Sequence, residues 1–475
     1  MRSGARLSLC ALLAVGLAGC VDAQSYRCGA AAQCVRGAVT GTCEPEGFCS
    51  FPDPACPRGR WAPLSPRGGT CVGDDPGIDA ALPDAAVSDG DLVDRLDIDA
   101  ATPVLDGGNA ACYSRLASRV THSCVVRDDG SAWCWGRDGY NQLGGRPSLG
   151  PGVPLRGDPP TTARIIAGEV GAEHTVLLDA DGHMWCVGAN FNGQCGDGTT
   201  ASHFGDYAAP RTSTPAAELT GITMIAAGRW HTCMLASGQI YCTGANDEAQ
   251  VGYATPVTEP NRTWSVNVAP VAVTGATALV AGQYHTCALI AGGAVTCWGD
   301  NDGLQLGRTP ATDSLVPMQV AGITGATRLA LGGQHSCALV GTEVWCWGDN
   351  GRGQLGDFTA SRATPMRISA LPPVVSLAAG GQHTCAVTDA GKVLCWGDNT
   401  ASQLGQPPIA GDNRSRTPLE VPAIGDAVEV SAGDDFTCVL RRAGVSCWGR
   451  NDSAQLGTAS VVESAIPIPV QLSCP

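Results

Sequence analysis

The chain has 475 residues, a net charge of −15 and 24 cysteines, and these properties exclude several classes of protein. The excess of carboxylates disfavours nucleic-acid binding, because recognition of a phosphate backbone needs a basic surface. The even number of cysteines, taken with the pairing derived below, indicates an oxidising compartment and argues against the cytosol.

An apolar segment stands at the N-terminus. The run Leu7–Ala18 follows two arginines, is short for a membrane span and is typical of a signal peptide over residues 1–19. The quartet Leu17-Ala18-Gly19-Cys20 resembles the lipobox of bacterial lipoproteins. The resemblance implies a lipid on Cys20, a lipidated N-terminus over residues 20–27 and a place in the bacterial cell envelope, in the periplasm or on the cell surface. The lipid is expected to be the only contact with a membrane. An ordinary secretory signal that contains a cysteine is the alternative.

Residues 28–72 are predicted to form a disulfide-rich module. So small a segment cannot bury a large core, and three disulfides are therefore its expected stabiliser. Its six cysteines are Cys28, Cys34, Cys43, Cys49, Cys56 and Cys71. Their connectivity stays open, because six cysteines allow about fifteen pairings. A stapled spacer and a binding module both fit this composition.

Residues 73–111 are predicted to form a flexible acidic linker. Ten aspartates between Asp74 and Asp106 accompany the single basic residue Arg95. Such a run has little to bury and repels itself. Calcium binding is the alternative, suggested by Asp89-Gly90-Asp91, but the complete D-x-D-x-D-G loop with its following glutamate is missing.

Residues 112–475 contain seven copies of one repeat, and each copy has a glycine that closes a C-W-G tripeptide or its equivalent. These glycines recur every 49 to 56 residues, a period that predicts one small antiparallel sheet per repeat. They are Gly136, Gly188, Gly244, Gly299, Gly348, Gly397 and Gly449. We therefore predict an all-β fold, a seven-bladed β-propeller, that behaves as a monomer.

Each repeat contains a hairpin that places two cysteines opposite each other. The runs His383–Val387 and Lys392–Trp396 flank the turn Asp389-Ala390-Gly391, and glycine suits the left-handed position of such a loop. Opposed residues of paired strands lie about 4.5 to 5.5 Å apart, within disulfide range. The predicted bonds are Cys124–Cys134, Cys233–Cys242, Cys287–Cys297, Cys337–Cys346, Cys385–Cys395 and Cys438–Cys447. A zinc site is the alternative, but the clustered ligand spacing that zinc needs is missing.

Two further pairs complete the cysteine pattern of the repeats. Val176 replaces the first cysteine of the second repeat, so Cys186 is expected to pair with Cys195. The run Ile468–Leu472 is expected to complete the first blade and close the ring, which removes exposed sheet edges. This closure would bring Cys112 beside Cys474 and predicts a disulfide between them.

A family resemblance rests on the string G-x-x-H-T-C-A-L followed by G-x-V-x-C-W-G-x-N-x-x-G-Q-L-G. It resembles the repeat of the regulator of chromosome condensation family, over residues 112–475. The resemblance implies a seven-bladed β-propeller. Eukaryotic members act in the nucleus on chromatin and a small GTPase, but the expected export, disulfides and acidity exclude that activity here, so only the fold carries over. Secreted bacterial propellers of this class that bind and inhibit β-lactamases give the functional analogy.

Three sets of repeated residues are interpreted as structural. The histidines are expected to bond backbone at strand starts, the tryptophans of C-W-G to pack between blades, and the asparagines to cap turns. The histidines are His122, His174, His231, His285, His335 and His383, with Phe436 in the seventh repeat. The tryptophans are Trp135, Trp298, Trp347, Trp396 and Trp448, and the asparagines are Asn190, Asn246, Asn301, Asn350, Asn399 and Asn451.

Candidate binding residues lie where the repeats differ. Two long loops, Asp197–Pro215 and Tyr253–Pro270, carry residue types that are enriched in binding hot spots. These residues are Phe204, Tyr207, Arg211, Tyr253, Arg262 and Trp264, together with His203. A second set precedes the repeated histidine, or Phe436 in the seventh repeat, which we call the ring residue of each blade. This set contains Trp230 and Tyr284 with the acidic Glu173, Asp434 and Asp435, and it is expected to cluster at one mouth of the channel. Tolerated insertions are the alternative.

The function predicted from these features is a non-catalytic, membrane-anchored scaffold that binds an exported or surface protein through loops of one face. No cofactor, metal or nucleic acid is expected. A carbohydrate-binding propeller is the first alternative and would show pockets repeated from blade to blade. A hydrolase or lyase is the second, but it needs a convergent set of titratable residues that the sequence does not display.

Overall fold

The computed structural model describes residues 112–472, apart from 146–151, 158, 212–217, 256, 260–261, 370 and 410, together with six short strands between residues 35 and 73. Strands dominate this part of the chain, and it contains no helix of the kind that crosses a membrane. The predicted signal peptide, the lipidation of Cys20 and the linker fall outside the described residues.

The N-terminal unit contains six short strands. They are β1 (Val35–Arg36), β2 (Val39–Thr40), β3 (Thr42–Cys43), β4 (Cys49–Pro52), β5 (Gly59–Trp61) and β6 (Cys71–Gly73). Strands β1 and β2 pair with each other, and β3 to β6 form a four-stranded sheet in chain order. Cys43 and Cys49 are register partners in this sheet. The side chains of this unit, and hence its disulfide pairing, lie outside the described part.

The remaining strands form seven antiparallel blades. Blade one comprises β7 (Tyr113–Arg119), β8 (His122–Arg127), β9 (Ala132–Gly136) and β10 (Leu155–Arg156); blade two comprises β11 (Ile165–Val170), β12 (His174–Asp179), β13 (Met184–Gly188) and β14 (His203–Ala208); blade three comprises β15 (Ile222–Ala227), β16 (His231–Ala236), β17 (Gln239–Ala245), β18 (Val257–Glu259) and β19 (Arg262–Thr274). Blade four comprises β20 (Ala276–Ala281), β21 (His285–Ile290), β22 (Ala294–Gly299) and β23 (Ser314–Gln319); blade five comprises β24 (Ala326–Leu331), β25 (His335–Val340), β26 (Glu343–Gly348) and β27 (Arg362–Arg367). Blade six comprises β28 (Val374–Ala379), β29 (His383–Thr388), β30 (Val393–Asp398) and β31 (Arg414–Glu420); blade seven comprises β32 (Ala427–Ala432), β33 (Phe436–Arg441), β34 (Gly444–Arg450) and β35 (Glu463–Pro469).

The blades close into a ring around a channel. The first strand of each blade contacts the first strands of both neighbouring blades, and β32 of blade seven contacts β7 of blade one. Each first strand carries a register irregularity, for example between Ala276 and Ala278, as bulges do where a strand must bend. The prediction of an all-β, seven-bladed propeller is therefore confirmed.

The prediction that the C-terminal strand completes blade one is wrong. β35 pairs with β34 inside blade seven, and blade one takes its first strand, β7, from the start of the repeat region. The error came from placing the proline-containing strand of each repeat before its hairpin. That strand instead follows the hairpin and pairs with the third strand of the same blade, as β23 does with β22.

The ring of blades closes where the complete blade seven packs beside the complete blade one. The Tyr113 hydroxyl donates to the Leu472 carbonyl at 2.9 Å, and Trp135 Nε1 donates to the Gln455 carbonyl at 3.1 Å. Cys112 is disulfide-bonded, while the predicted partner Cys474 lies outside the described residues.

The cysteine pairs of the blades form as the hairpin register predicts. In six blades the two cysteines are direct register partners, and their Cα atoms lie 4.1 Å apart in the Cys337–Cys346 pair. The other five such pairs are Cys124–Cys134, Cys233–Cys242, Cys287–Cys297, Cys385–Cys395 and Cys438–Cys447. In blade two, Cys186 bonds Cys195 with a Cα–Cα distance of 5.5 Å. These cysteines are buried, so each bond lies inside its blade.

At six of the seven interfaces, a hydrogen-bond relay that starts at a histidine joins one blade to the next. His335 Nε2 of blade five lies 2.9 Å from Thr384 Oγ1 of blade six, and that hydroxyl donates to the Gln354 carbonyl of blade five at 2.9 Å. Trp396 Nε1 of blade six donates to the same carbonyl at 2.9 Å. The equivalent His-to-hydroxyl contacts join His122 to Thr175, His174 to Thr232, His231 to Thr286, His285 to Ser336 and His383 to Thr437. The structural role of the histidines is confirmed, but their partner is a hydroxyl of the neighbouring blade and not backbone.

Where the hydroxyl also donates to a carbonyl, as it does for the partners of His231, His285, His335 and His383, the relay places a hydrogen on Nε2 of the histidine. A hydroxyl has one proton, and since Thr384 gives its proton to Gln354, Nε2 of His335 must carry a hydrogen and donate it. The ring also lies against a glycine three residues earlier, since a Cβ at Gly380 would be 2.2 Å from Cε1 of His383. Burial lowers the pKa of His383 to about 3 and that of His335 to about 4. These imidazoles are therefore neutral at physiological pH.

The repeated asparagines and tryptophans also make the contacts that the sequence predicts. The asparagine Oδ1 accepts from the backbone N–H five residues later, as Asn350 does from Leu355 at 2.9 Å. Trp135, Trp298, Trp347, Trp396 and Trp448 are fully buried. The turn-capping and inter-blade packing predictions are confirmed.

The outermost strands carry prolines. Pro317, Pro365, Pro418 and Pro467 lie on β23, β27, β31 and β35. Each precedes the residue that faces the second cysteine of its blade, where the ladder register shifts. Proline has no N–H to donate, so it is tolerated at this edge position.

We predict that acid destabilises this protein through the buried histidines. An unfolded histidine titrates near 6.5, whereas folded His383 has a pKa of about 3, so only the unfolded chain binds a proton between these values. Each such histidine then costs about 1.4 kcal/mol of unfolding free energy per pH unit as the pH falls below 6.5. His383→Phe should reduce the slope of unfolding free energy against pH between pH 6 and 4 by about this amount, as measured by urea unfolding. Equal slopes for the variant and the wild type would contradict the assignment.

We also predict that each disulfide contributes measurably to stability. A closed loop of about ten residues is worth roughly 2 to 3 kcal/mol in the chain-entropy model. The double variant Cys337→Ser/Cys346→Ser should lose about this much unfolding free energy in urea. The matched control is the same pair of proteins after full reduction, where the difference should largely disappear. A difference that persists after reduction would show that packing and not the bond is responsible.

Candidate functional site

One end of every blade contributes to a common surface, here called the mouth face. The start of each second strand pairs with the end of the third strand, as His285 does with Gly299. The turn before the second strand and the connection after the third therefore lie at the same end. The two residues before each ring residue line the mouth: Val120-Thr121, Ala172-Glu173, Arg229-Trp230, Gln283-Tyr284, Gly333-Gln334, Gly381-Gln382 and Asp434-Asp435.

An aromatic platform, made of Arg229, Trp230 and Tyr284, lies on this face. The Trp230 and Tyr284 rings meet edge to face with centroids 5.8 Å apart. The Arg229 guanidinium lies 5.1 Å from the centroid of Trp230 and 5.9 Å from that of Tyr284. All three side chains are half-buried, and cation–π contacts of this kind hold rings in place.

Asp434 fastens the platform across the mouth. Its Oδ2 lies 3.3 Å from Arg229 Nη1, and its Oδ1 accepts from Gln283 Nε2 at 2.6 Å. These contacts connect blades three, four and seven. Burial raises the pKa of Asp434, and the charges of Arg229 and Arg119 oppose that rise. The predicted clustering of Trp230, Tyr284, Asp434 and Asp435 at one mouth agrees with this geometry. Glu173, the remaining member of the predicted set, instead pairs with Arg137 at 3.5 Å.

Arg119 occupies the channel next to the mouth. It takes the position three residues before the ring residue, where the other six blades have glycine. Its Nη2 donates to the Ala281 carbonyl of blade four at 2.5 Å. Burial raises the pKa of Glu169 to about 7, although the charge of Arg119 opposes this rise. A separate cavity of about 240 Å³ lies among the first strands of all seven blades.

An acidic pit opens beside the platform. Its volume is about 520 Å³, and Tyr284 forms part of its wall. Its carboxylates are Glu248, Asp300, Asp302, Asp349, Asp434 and Asp435. Blades five and six add no side chain at Gly333 and Gly381, where other blades carry Arg229, Gln283 or Asp434. A Cβ at Gly333 would lie 2.5 Å from the Gly381 carbonyl oxygen, so this close backbone contact requires glycine.

Crowding and burial disfavour charge on the acids of this region. Burial, with the charges of Asp313 and Asp300, raises the pKa of Glu248. Burial also raises the pKa of Asp435, assisted by Asp434 and opposed by Arg450. Among the described residues, the carboxylates of Asp300, Asp302 and Asp313 approach within 4.8 Å of one another.

The residues predicted on the two long loops do not form one site. The Tyr253 hydroxyl donates to the Cys242 carbonyl at 2.7 Å, and burial raises its pKa to about 12. Tyr207 packs against Gly144 and Gly157 of blade one. Both rings point inward, so neither belongs to an exposed binding surface.

The other loop residues are dispersed. Phe204 is 63% exposed on β14, and Arg211 is exposed beyond the end of that strand. Trp264 is half-buried on β19, opposite Ala245, while the side chain of Arg262 lies outside the described part. His203 lies 3.1 Å from Asp197 and 3.2 Å from Asp206.

Several mouth residues were missed from the sequence. Arg229, Gln283, Asp300 and Asp349 were not singled out, although aligning the repeats on their ring residues would have placed the first two beside Trp230 and Tyr284. The same alignment would have shown that Gly333 and Gly381 add no side chain to the mouth.

Comparison with known proteins agrees with this geometry. A family model of the RCC1-like domain matches residues 148–474, and a model of the regulator of chromosome condensation (RCC1) repeat matches residues 120–142. The RCC1 domain-containing protein RUG3, mitochondrial, of Arabidopsis thaliana is 30% identical over 202 residues, which cover 41% of this chain and 43% of that protein. The Homo sapiens X-linked retinitis pigmentosa GTPase regulator is 29% identical over 151 residues, which cover 32% and 14% of the two chains. The chain thus spans less than half the length of these relatives.

Solved structures show the same fold. Prp20p from Saccharomyces cerevisiae superposes with a TM-score of 0.61 at 18% identity, covering 69% of this chain and 82% of that one. Human WBSCR16 gives 0.58 at 22% identity, covering 71% and 88%. The repeat, the closed ring of seven blades and the family match over most of the chain agree, and the protein therefore belongs to the RCC1-like domain family.

Proposed function

We propose that this protein is an exported, lipid-anchored, non-catalytic scaffold that binds another protein through its mouth face. The observation that carries the proposal is the aromatic platform, whose two rings are fixed by Arg229 and tied through Asp434 to the opposite side of the mouth. Trp, Tyr and Arg are the residue types that dominate binding hot spots.

The platform is suited to protein binding because it is ordered before a partner arrives. Side chains that are already held lose little conformational entropy on association. The scaffold beneath is stiffened by the disulfides and the inter-blade relay, so recognition residues stand on a rigid base. Differences between blades at the two positions before the ring residue change the surface without changing the fold.

The family supports a binding role. RCC1-like propellers are commonly protein-interaction scaffolds, and two structures of the yeast protein concern its binding to Gsp1p and histones and its complex with Kap60. Gsp1p, histones and Kap60 are partners of the yeast protein. For the present protein we infer only that its propeller is used as a docking surface.

The shape of the mouth favours a protein over a repeated sugar ligand. The platform involves blades three, four and seven, and the acidic pit lies beside it, so neither feature recurs from blade to blade. The ring histidines are neutral and committed to the relay, which removes them as general bases near neutral pH.

The proposed binding is tested by placing a photo-crosslinking amino acid in the full chain at position 334 or 382, two exposed mouth positions outside the platform. We expect a discrete cross-linked protein from native envelopes at both positions. Trp230→Ala should weaken binding of that protein about thirtyfold, since a hot-spot residue contributes about 2 kcal/mol or more.

The control places the same probe at Val316, which is 59% exposed on the outer strand of blade four. Equal cross-linking from Val316 and from the mouth would contradict the proposal. A product that a glycosidase removes would instead favour the carbohydrate-binding alternative.

The proposed anchor has its own test. Labelled palmitate should be incorporated into the wild-type chain and lost in Cys20→Ala, with the variant moving from the membrane to the soluble envelope fraction. Incorporation that persists in Cys20→Ala would refute lipidation at this cysteine, and an unlabelled wild type would favour an ordinary secretory signal.

A further inference from the structure

We propose that the acidic pit accepts a lysine or arginine side chain carried on a protruding loop of the partner protein. This inference rests on the proposed function and specifies the chemistry of the partner. It is argued from the shape, the charge and the aromatic wall of the pit.

The shape is that of a socket for a side chain. A volume of about 520 Å³ lies within the range of about 300 to 1,000 Å³ that is usual for small-molecule pockets, so it leaves room for one long side chain. The opening exists because Gly333 and Gly381 leave two adjacent blades without side chains at the mouth. Substitution at either glycine would bring a Cβ within 3 Å of backbone atoms of the next blade.

The charge of the pit is largely unbalanced. Asp434 is paired with Arg229, and Asp435 lies 3.0 Å from Arg450. Among the described residues, no lysine or arginine forms an ion pair with Glu248, Asp300, Asp302 or Asp349. A concave surface of one sign focuses the field and attracts the opposite charge.

Among the described residues, a buried carboxylate next to the pit, that of Asp398, has one oxygen without a hydrogen bond and a single cation, Arg352, at 3.7 Å. Asp398 is 3% exposed, and its Oδ2 accepts from Gln403 at 2.8 Å. Its Oδ1 accepts no hydrogen bond within the described part of the chain, and Arg352 Nε stays 3.7 Å away. The Asp398 N–H donates at 2.9 Å to the carbonyl of Gln382, which lines the pit. A cation in the pit would be attracted by this carboxylate as well as by those of the lining.

The wall favours a basic side chain over a metal ion. Tyr284 presents its ring beside the carboxylates, and a guanidinium or ammonium group gains from such a ring face. A calcium ion needs six to eight oxygens at about 2.3 to 2.6 Å. The carboxylates of Asp300, Asp302 and Asp313 lie within 4.8 Å of one another, but the other pit acids are spread over blades three, five and seven around the cavity.

The inference is tested with fluorescein-labelled tetralysine and the full-length protein, by fluorescence anisotropy in 50 mM salt. The pit variant is Asp300→Asn/Asp302→Asn/Asp349→Asn, which keeps side-chain shape while removing three charges that no described lysine or arginine pairs. The control variant Asp128→Asn/Asp181→Asn/Asp389→Asn removes three exposed charges from turns at the opposite end of the blades. We expect binding about tenfold weaker for the pit variant, less than about twofold weaker for the control, and no binding of a tetralysine peptide whose side chains are acetylated.

Several results would overturn the inference. Equal weakening in both variants would show attraction to the net charge of the whole protein. Saturable binding of calcium chloride that is lost in the pit variant, without tetralysine binding, would identify a metal site. Should the triple variant fail to fold, Asp349→Asn alone should weaken binding about threefold, and an unchanged affinity would count against the pit.

The partner identified by cross-linking separates this inference from the proposed function. If cross-linking at position 334 continues undiminished in the pit variant, the mouth binds a protein but the pit takes no basic side chain. If tetralysine binding depends on the pit and no protein cross-links at the mouth, the pit chemistry stands and the proposed protein-binding function fails.

Discussion

The packing of a buried ring from one blade against the next, with a hydrogen bond from a histidine to a hydroxyl at six of the seven interfaces, is the contact on which the rest of this structure depends. The hydrogen bond joins buried polar groups that would be costly to leave unpaired, and among the described residues neither His335 nor the Thr384 hydroxyl has another side-chain partner within its own blade. A single blade thus cannot satisfy its own interior. Stability belongs to the closed ring, in which each blade completes its neighbour.

The seventh interface shows what the relay requires. Phe436 replaces the histidine, and the facing hydroxyl of Ser123, which occupies the position that Ser336 has in the relay, instead lies 2.8 Å from the Ser118 hydroxyl. The Ser123 hydroxyl thus keeps a hydrogen-bond partner although the histidine is gone. The ring shape is retained against Gly433, where an added Cβ would lie 1.9 Å from Phe436. A bulky ring is therefore needed at every interface, whereas the hydrogen bond of the histidine can be exchanged for the apolar packing of a phenylalanine.

Much of the fold could be predicted from the sequence because its signals are local. The cysteine pairs follow from hairpin register, and the register follows from turn length. The outer strand was misassigned because it lies between two hairpins and nothing local says which of them it joins. Tyr253 and Tyr207 were misjudged for another reason, since residue type does not reveal whether a ring on a loop points outward. Arg229 and the glycines of the pit gain meaning only when seven blades are arranged around one axis, a relation that no single stretch of sequence contains.

The prolines on the outer strands have a consequence for behaviour at high concentration. A ring of blades presents outward-facing sheet edges, and such edges can recruit strands from other molecules into growing fibres. Pro317, Pro365, Pro418 and Pro467 each remove a donor at a point where the ladder is already irregular. The rim of these blades is a poor template for strand addition. Many copies could therefore stand side by side on a surface and stay separate molecules.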